Sequence, residues 1–359
     1  MKEKHGCAGT PPPPSPLNPM ACAAGLRSRC TAPRPWKRSQ PTLNWRTIHG
    51  PHTFVSQTEG PDIDVRSVLE FVKVEHTLFS LPFVLMGYVL ALEQFELAPG
   101  LDLMWILLAA VGARGLAMAL NRIIDRDIDA ANPRTQGRHL ASGSMSMQTA
   151  WILSAVFLAM LLISAGLLNR VALMMAWLPV LTFVVYPYMK RFTWLCHFWL
   201  GLCLGLAPAG AWVAMAADVH GWAAITDALW VPTVLPISLG VALWIAAFDI
   251  NYARMDVESD REQGIHSFPS RFDERATTRT TVQLSLVWFA CFAVSDPVES
   301  IWFLAAAGVM ALANIAVVLR MDRLKDFQTT LFRVSMLTGW VLLAALALGY
   351  ATEPQVSLD

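Results

Sequence analysis

The sequence predicts an all-α polytopic membrane protein with nine transmembrane helices. Three observations carry that reading. Hydrophobic residues occupy 55% of the 359 positions against 15% charged, and mean hydropathy is +0.45. Runs of roughly 18 or more nearly uncharged residues, enough for a helix to cross about 30 Å of hydrocarbon, recur from Thr77 to the C-terminus. Lysine and arginine then cluster in every second connection between those runs. With 27 Lys+Arg against 27 Asp+Glu, the apolar content excludes a disordered, collagenous or nucleic-acid-coating chain.

Residues 1–64 read differently from the rest. Pro11 to Pro14 form a run, small and polar residues dominate, and Lys2, Lys4, Arg27, Arg29, Arg34, Lys37, Arg38 and Arg46 make the stretch basic. Such a composition cannot bury enough apolar surface to offset its chain entropy. The expectation is a disordered tail, of no defined function in the first reading and with its cations leaning on anionic headgroups in the second. Residues 20–26 are too short and too far from the start for a signal-peptide core.

The membrane domain is expected over 65–352, followed by a short tail, 353–359. Its spans run roughly 77–94, 103–124, 149–168, 171–189, 193–216, 229–247, 278–294, 301–319 and 332–350, the seventh being the least apolar. The basic tail, Arg122 to Arg138, Lys190-Arg191, Arg254 to Arg279 and Arg320 to Lys325 fall on one side. The opposite connections hold Glu93, Glu96, Asp102, Asp218, Asp227, Asp296 and Glu299, with Arg170 as their only cation. Cations stay cytoplasmic, so the N-terminus is expected inside and the C-terminus outside.

Two connections, 125–148 and 249–277, are long, charged and on the cytoplasmic side of that topology. Long loops in compact proteins tend to be functional. Each begins with a row of acids. Asn121, Asp125 and Asp129 are spaced i, i+4, i+8, within about 80° of one another on a continuous helix. Asp127 points elsewhere. Asp249, Asp256 and Asp260 are separated by seven and four residues, within roughly 40° of one line. Tyr252 lies near that face, about one turn from Asp249.

A carboxylate at bilayer depth costs about 2.5 to 3.5 kcal/mol, and like charges at i,i+4 repel. Arginine alone is not expected to compensate two such rows. Oxygen ligands without paired His or Cys suit Mg²⁺, which takes one or two carboxylates and fills its octahedron with water and phosphate oxygens. Arg134, Arg138, Lys190 and Arg191 flank the same space, as do Arg254 and Arg261. Acids, a divalent ion and cations together are the inventory for gripping a diphosphate.

Arg114 stands inside the second span, i−7 from Asn121 and so on the same side. A buried guanidinium usually faces a cavity or a counter-charge. Holding an acceptor's carboxylate is one role, and a structural pair with Glu70 or Glu75 is the other. His76, His139, His197 and His266 have no metal-ligand spacing, and His197 reads as a packing histidine. The six cysteines have no zinc or redox spacing either.

At this point the motifs become recognisable. Asn-x3-Asp-x3-Asp at 121–129 and Asp-x2-Tyr-Ala-x2-Asp-x3-Asp at 249–260, with Tyr186-Pro-Tyr-Met-Lys-Arg191 between them, resemble the UbiA superfamily of membrane aromatic prenyltransferases. The resemblance spans about residues 67–350 and includes the helix count. Val74-Glu-His-Thr-Leu-Phe-Ser-Leu-Pro82 and Thr193-Trp-Leu-Cys-His197 resemble bacterial 4-hydroxybenzoate polyprenyltransferases, some of whose relatives are linked to the futalosine route to menaquinone. Ser259 stands where many relatives have Gly, and the N-terminal tail has no family counterpart.

The resemblance implies nine helices around a central cavity in a bacterial inner membrane, with the active site facing the cytoplasm. It implies two Mg²⁺ ions held by Asn121, Asp125, Asp129, Asp249, Asp256 and Asp260, partly through water, around a polyprenyl diphosphate. It places Arg134, Arg138 and Lys190 on the diphosphate, with Arg191 beside them, and Arg114 near a small aromatic acid. The expected reaction forms a bond from the prenyl chain to the ring carbon ortho to the acceptor's hydroxyl, 4-hydroxybenzoate first and a dihydroxynaphthoate second. Asp125, Asp129, Asp256, Asp260 and Tyr252 are the expected catalytic set, Tyr252 offering its face to an allylic cation. A different class, an ion-coupled secondary transporter, places its acids near the bilayer midplane. Here they gather at helix ends beside arginines.

Overall fold

Long apolar runs in this sequence have no strand-like alternation, and in the computed structural model, which describes residues 65–352, they form helices throughout. The tail readings for 1–64 and 353–359 lie outside the described residues. Helix α1 (Val65–Val72) is amphipathic: Phe71 and Val72 are buried while Val65 and Leu69 are exposed. Lys73 then adopts a left-handed conformation, φ 52°. That residue turns the chain into α2 (Val74–Gln94), the first span.

Helix α3 (Asp102–Ile124) is the second span. The first long connection carries the short helices α4 (Arg126–Ala131) and α5 (His139–Ser142). Helix α6 (Met147–Leu168) starts where the Ser146 hydroxyl accepts the Thr149 N–H at 3.0 Å, satisfying an otherwise unpaired first-turn donor. The fourth span is broken at Ala176 into α7 (Arg170–Met175) and α8 (Trp177–Met189). Helix α9 (Cys196–His220) and the short α10 (Ala223–Thr226) lead to α11 (Trp230–Tyr252). The second long connection holds a 3₁₀ turn (Ala253–Asp256), α12 (Val257–Glu262) and α13 (Phe268–Arg271). Helices α14 (Glu274–Ser295), α15 (Ile301–Leu319) and α16 (Phe327–Thr352) complete the bundle.

Among the described residues, eight spans are long and apolar enough by themselves to cross a membrane. The ninth is α14, whose first half, ERATTRTTVQ, is polar. Its hydroxyls are satisfied within the helix, Thr281 donating to the Thr277 carbonyl at 3.1 Å and Ser285 to that of Thr281 at 2.9 Å. Helix α14 therefore buries the Thr281 and Ser285 hydroxyls against its neighbours with their hydrogen bonds made. Large apolar side chains such as Trp151, Ile152, Val156, Ile163 and Leu312 point outward, as a lipid-facing surface requires.

In lipid the helices cannot be driven together by hydrophobicity alone, and small residues and polar bridges do that work. Gly201 and Gly205 of α9 face α11. A Cβ at Gly205 would stand 2.7 Å from the Ser238 carbonyl oxygen, and one at Gly201 would overlap the carbonyl of Ala242. Between α15 and α16, Asn314 donates to Thr338 at 2.9 Å and accepts from Ser335 at 3.2 Å. Trp212, Trp244 and Trp288 are fully buried in the main core.

Candidate active site

A cavity of about 930 Å³ lies within the bundle, lined chiefly by α3, α6, α8, α9 and α11. Along most of its length the walls are apolar, among them Ile106, Ala110, Leu161, Leu168 and Met175. At the other end stand Asn121, Arg122, Arg134, Arg138, Asp249 and Tyr252, with Arg66, Glu70 and Lys73 of the α1 region. An apolar tunnel ending in charged groups suits an amphiphile with an anionic head.

The first acidic row is not on one unbroken helix. Helix α3 stops at Ile124 and Asp125 sits at the break, φ −96°, ψ 9°. The path stays near-helical, because the Asp125 N–H reaches the Asn121 carbonyl at 3.0 Å and the Asp129 N–H reaches that of Asp125 at 2.8 Å. The row therefore keeps one face. Asp125 and Asp129 are buried and Asp127 is exposed. The second row is interrupted too. Asp249 belongs to α11, Asp256 ends the 3₁₀ turn and Asp260 lies in α12, so the single-line spacing assumed for one helix does not hold. Tertiary contacts, rather than helical phase, gather these acids.

Arginine and lysine supply more compensation than the sequence suggests. Arg134 meets both oxygens of Asp256, at 2.8 Å and 2.5 Å, and the Asn132 amide donates to the same carboxylate at 3.0 Å. Arg138 lies 2.8 Å from each oxygen of Asp129. Lys190 Nζ is 2.5 Å from Asp125 Oδ2, and Arg191 is 3.7 Å from Oδ1 while donating to the Ile124 carbonyl. The 132–138 loop folds back over the rows, which a reading of helix faces could not anticipate. Arg254 and Arg261 turn away, toward Glu274 and Thr278 and toward the Ser270 carbonyl.

Asp125 is the most enclosed acid. Burial pushes its carboxyl above the ordinary carboxylate range, and Lys190 offsets only part of that. Its Oδ2 takes Lys190 and the Asn121 amide, whereas Oδ1 is buried with no hydrogen bond among the described residues. A buried carboxylate oxygen left open, beside further oxygen donors, fits a hard cation such as Mg²⁺. Among the described residues no three His, Cys, Asp or Glu side chains stand close enough to chelate an ion unaided. Mg²⁺ seldom asks for that, since phosphate and water complete its shell.

Arg114 lines the apolar stretch of the cavity, and its Nε has no hydrogen-bond partner among the described residues. It does not pair with Glu70, which instead receives Arg66 at 2.9 Å; the Glu75 side chain lies outside the described residues. Tyr252 presents its ring to Arg134, 5.4 Å from guanidinium carbon to ring centroid, and its hydroxyl accepts from Gln328 at 2.6 Å.

Several site residues escape sequence reasoning. Arg122 is 3% exposed, lies 5.3 Å over the Phe71 ring, lines the cavity, and has an Nε with no hydrogen-bond partner among the described residues. As one of many loop-proximal cations it carries no distinguishing signal. Asn132 and Ser267, the latter donating to Asp260 at 2.5 Å, read as turn residues. His197 is bound to Asp249, a partner 52 residues away that its local sequence does not announce.

The sequence model of the UbiA prenyltransferase family matches residues 80–337. A 4-hydroxybenzoate octaprenyltransferase of Coxiella burnetii is 33% identical over 171 residues, 47% of this chain and 56% of that protein. A mitochondrial 4-hydroxybenzoate polyprenyltransferase of Schizosaccharomyces pombe is 27% identical over 246 residues, 67% of this chain and 66% of its own length. The match thus spans little more than half of the bacterial relative. The apo structure of a UbiA homolog from Aeropyrum pernix K1 superposes with a TM-score of 0.68 at 29% identity, covering 77% of this chain and 98% of that one. A UbiA homolog from Archaeoglobus fulgidus bound to GPP and Mg²⁺ shares the fold, with a TM-score of 0.54 at 19% identity over 78% of this chain and 99% of its own.

Proposed function

This chain belongs to the UbiA prenyltransferase family, and on that premise we propose that it transfers a polyprenyl group from a polyprenyl diphosphate to the ring of 4-hydroxybenzoate, ortho to the hydroxyl. The observation that carries the proposal is the meeting of the two acidic rows: Asn132 and Arg134, beyond the first, hold Asp256 of the second at the charged end of an apolar cavity of about 930 Å³. The likeness to proteins named for 4-hydroxybenzoate supports the acceptor. The charge alternation supports a cytoplasmic active site in a bacterial inner membrane.

Asn121, Asp125 and Asp129 on one side and Asp249, Asp256 and Asp260 on the other would hold Mg²⁺, two ions for two rows. Bound there, Mg²⁺ supplies Lewis-acid neutralisation of the departing diphosphate. Arg134, Arg138 and Lys190 bind the diphosphate oxygens by exchanging carboxylate partners for phosphate, charge for charge. Arg191 backs Lys190. As the allylic C–O bond breaks, its electron pair leaves with the diphosphate, and the faces of Tyr252 and Phe248, 5.6 Å apart, offset the cation by about 0.5 to 2 kcal/mol. Arg114 holds the acceptor's carboxylate so that the ring carbon beside the hydroxyl meets the cation. The apolar walls exclude water that would otherwise capture it. The ring then loses its proton to the released diphosphate and regains aromaticity.

The test offers purified protein with Mg²⁺ several prenyl diphosphates and a panel of acceptors, 4-hydroxybenzoate and dihydroxynaphthoates included, with products read by mass spectrometry. Prenylated 4-hydroxybenzoate is expected. Asp125→Ala and Asp256→Ala are each expected to abolish turnover while folded protein persists. Full activity in either overturns the metal assignment. Ion or solute flux in proteoliposomes without such chemistry would favour a transporter.

A further inference from the structure

Among the described residues, no lysine or arginine forms an ion pair with Asp260 or with Asp249, and Asp249 is held instead by an imidazole. Its Oδ2 lies 2.6 Å from Nδ1 of His197. The other ring nitrogen, Nε2, is 3.0 Å from the backbone N–H of Phe268. A peptide N–H only donates, so Nε2 is the accepting nitrogen and Nδ1 carries the proton toward Asp249. The ring is thereby fixed at both ends.

Its surroundings hold it further. His197 is 3% exposed and lies in the first turn of α9, one turn before Gly201, where α9 and α11 touch backbone to backbone. Unlike Asp249, it is absent from the cavity wall. The residue before Phe268, Ser267, donates to Asp260 at 2.5 Å. Two consecutive residues beyond the second motif therefore secure two of its acids: Ser267 holds Asp260 directly, and Phe268 holds Asp249 through the imidazole.

We propose that His197 is a positioning residue, which fixes the Asp249 carboxylate with Oδ2 occupied and its second oxygen left for the cation–diphosphate group in the cavity. The inference rests on the prenyl transfer reading of the site. A carboxylate free to rotate loses part of its preorganisation, and partners of metal-binding side chains typically matter 10- to 100-fold in metal affinity.

Full-length protein in detergent tests this with His197→Ala, His197→Asn and His197→Gln. Asparagine places an amide N–H near the Nδ1 position, whereas glutamine reaches the Nε2 position. Two readouts apply: the Mg²⁺ concentration for half-maximal prenyl transfer, with KM and kcat for both substrates, and the rise in Tm produced by Mg²⁺ with inorganic diphosphate, which needs no turnover. Alanine and glutamine are expected to raise the Mg²⁺ requirement about 10- to 100-fold and flatten the Tm response, with KM for the aromatic acid unchanged. Asparagine is expected to restore most of both. Wild-type Mg²⁺ dependence in His197→Ala, or asparagine no better than glutamine, overturns the proposal. If His197→Ala does not fold, the Asn/Gln comparison decides. Absence of any prenyl transfer by the wild-type protein would instead sink the reading of the site, and the Tm response would still judge His197.

Discussion

Arg134 grips Asp256 across 122 residues of chain, Nε to Oδ1 at 2.8 Å and Nη2 to Oδ2 at 2.5 Å. The contact ties the loop after the second span to the turn after the sixth. It also holds the acid and the cation of the proposed diphosphate site against each other, so binding must trade this pair for two new ones. Arg134→Lys keeps the charge and loses the planar two-point geometry. Its KM for the prenyl diphosphate is expected to rise about tenfold, near 1.4 kcal/mol, with KM for the acceptor unchanged, as steady-state kinetics would reveal.

Removal of the cation should be reversible. Chelation by EDTA is expected to stop transfer and Mg²⁺ to restore it, while Ca²⁺, larger and less demanding of an octahedral shell, should restore less. Equal activity with and without chelator would remove the ion from the reaction.

Arg114 lies in the cavity with an Nε that has no hydrogen-bond partner among the described residues, so the bonds seen for it there add little to the fold that an apolar side chain could not. Arg114→Met is expected to leave Tm unchanged or raised while raising KM for the aromatic acid more than for the diphosphate. A substantial fall in Tm would mark Arg114 as structural.

Lys190 is the main counter-charge of Asp125, which is 0% exposed. Lys190→Met leaves a buried carboxylate under-compensated, a loss of about 3 kcal/mol readable as a lower Tm. Burial already holds the Asp125 carboxyl above its ordinary value, and losing Lys190 raises it further. A carboxyl whose folded value exceeds its unfolded value costs nothing while protonated in both states. The deficit should therefore be small at acid pH and grow as pH rises above the ordinary carboxylate range, about 3.9. Adding Asp125→Asn should recover the Tm without recovering activity.

Gly201 lets α9 and α11 touch, since a Cβ there would overlap the Ala242 carbonyl. Gly201→Val is expected to cost about 1 to 3 kcal/mol by overpacking. It should also depress activity, because the displaced helices carry His197 and Asp249.

What the sequence determined by itself follows from the solvent. Lipid offers no hydrogen bonds, so an apolar run of sufficient length must be a helix, and eight spans declare themselves by composition. The ninth, α14, was the weakest run for the same reason: its polar first half is acceptable only because Thr281 and Ser285 bond within their own helix and bury against neighbours. The need of the acids for compensating partners is legible too, since charge at helix ends inside a membrane protein is costly.

The tertiary structure alone decided the pairing of those acids. Helical phase placed Asp249, Asp256 and Asp260 on a line, but a 3₁₀ turn breaks that helix, and contacts from Arg134, Asn132, Ser267 and His197 collect the carboxylates instead. Those partners come from as far as 124 residues away. Sequence periodicity reports neighbours within a few turns, whereas a site built between helices depends on how loops fold back and how closely backbones pack.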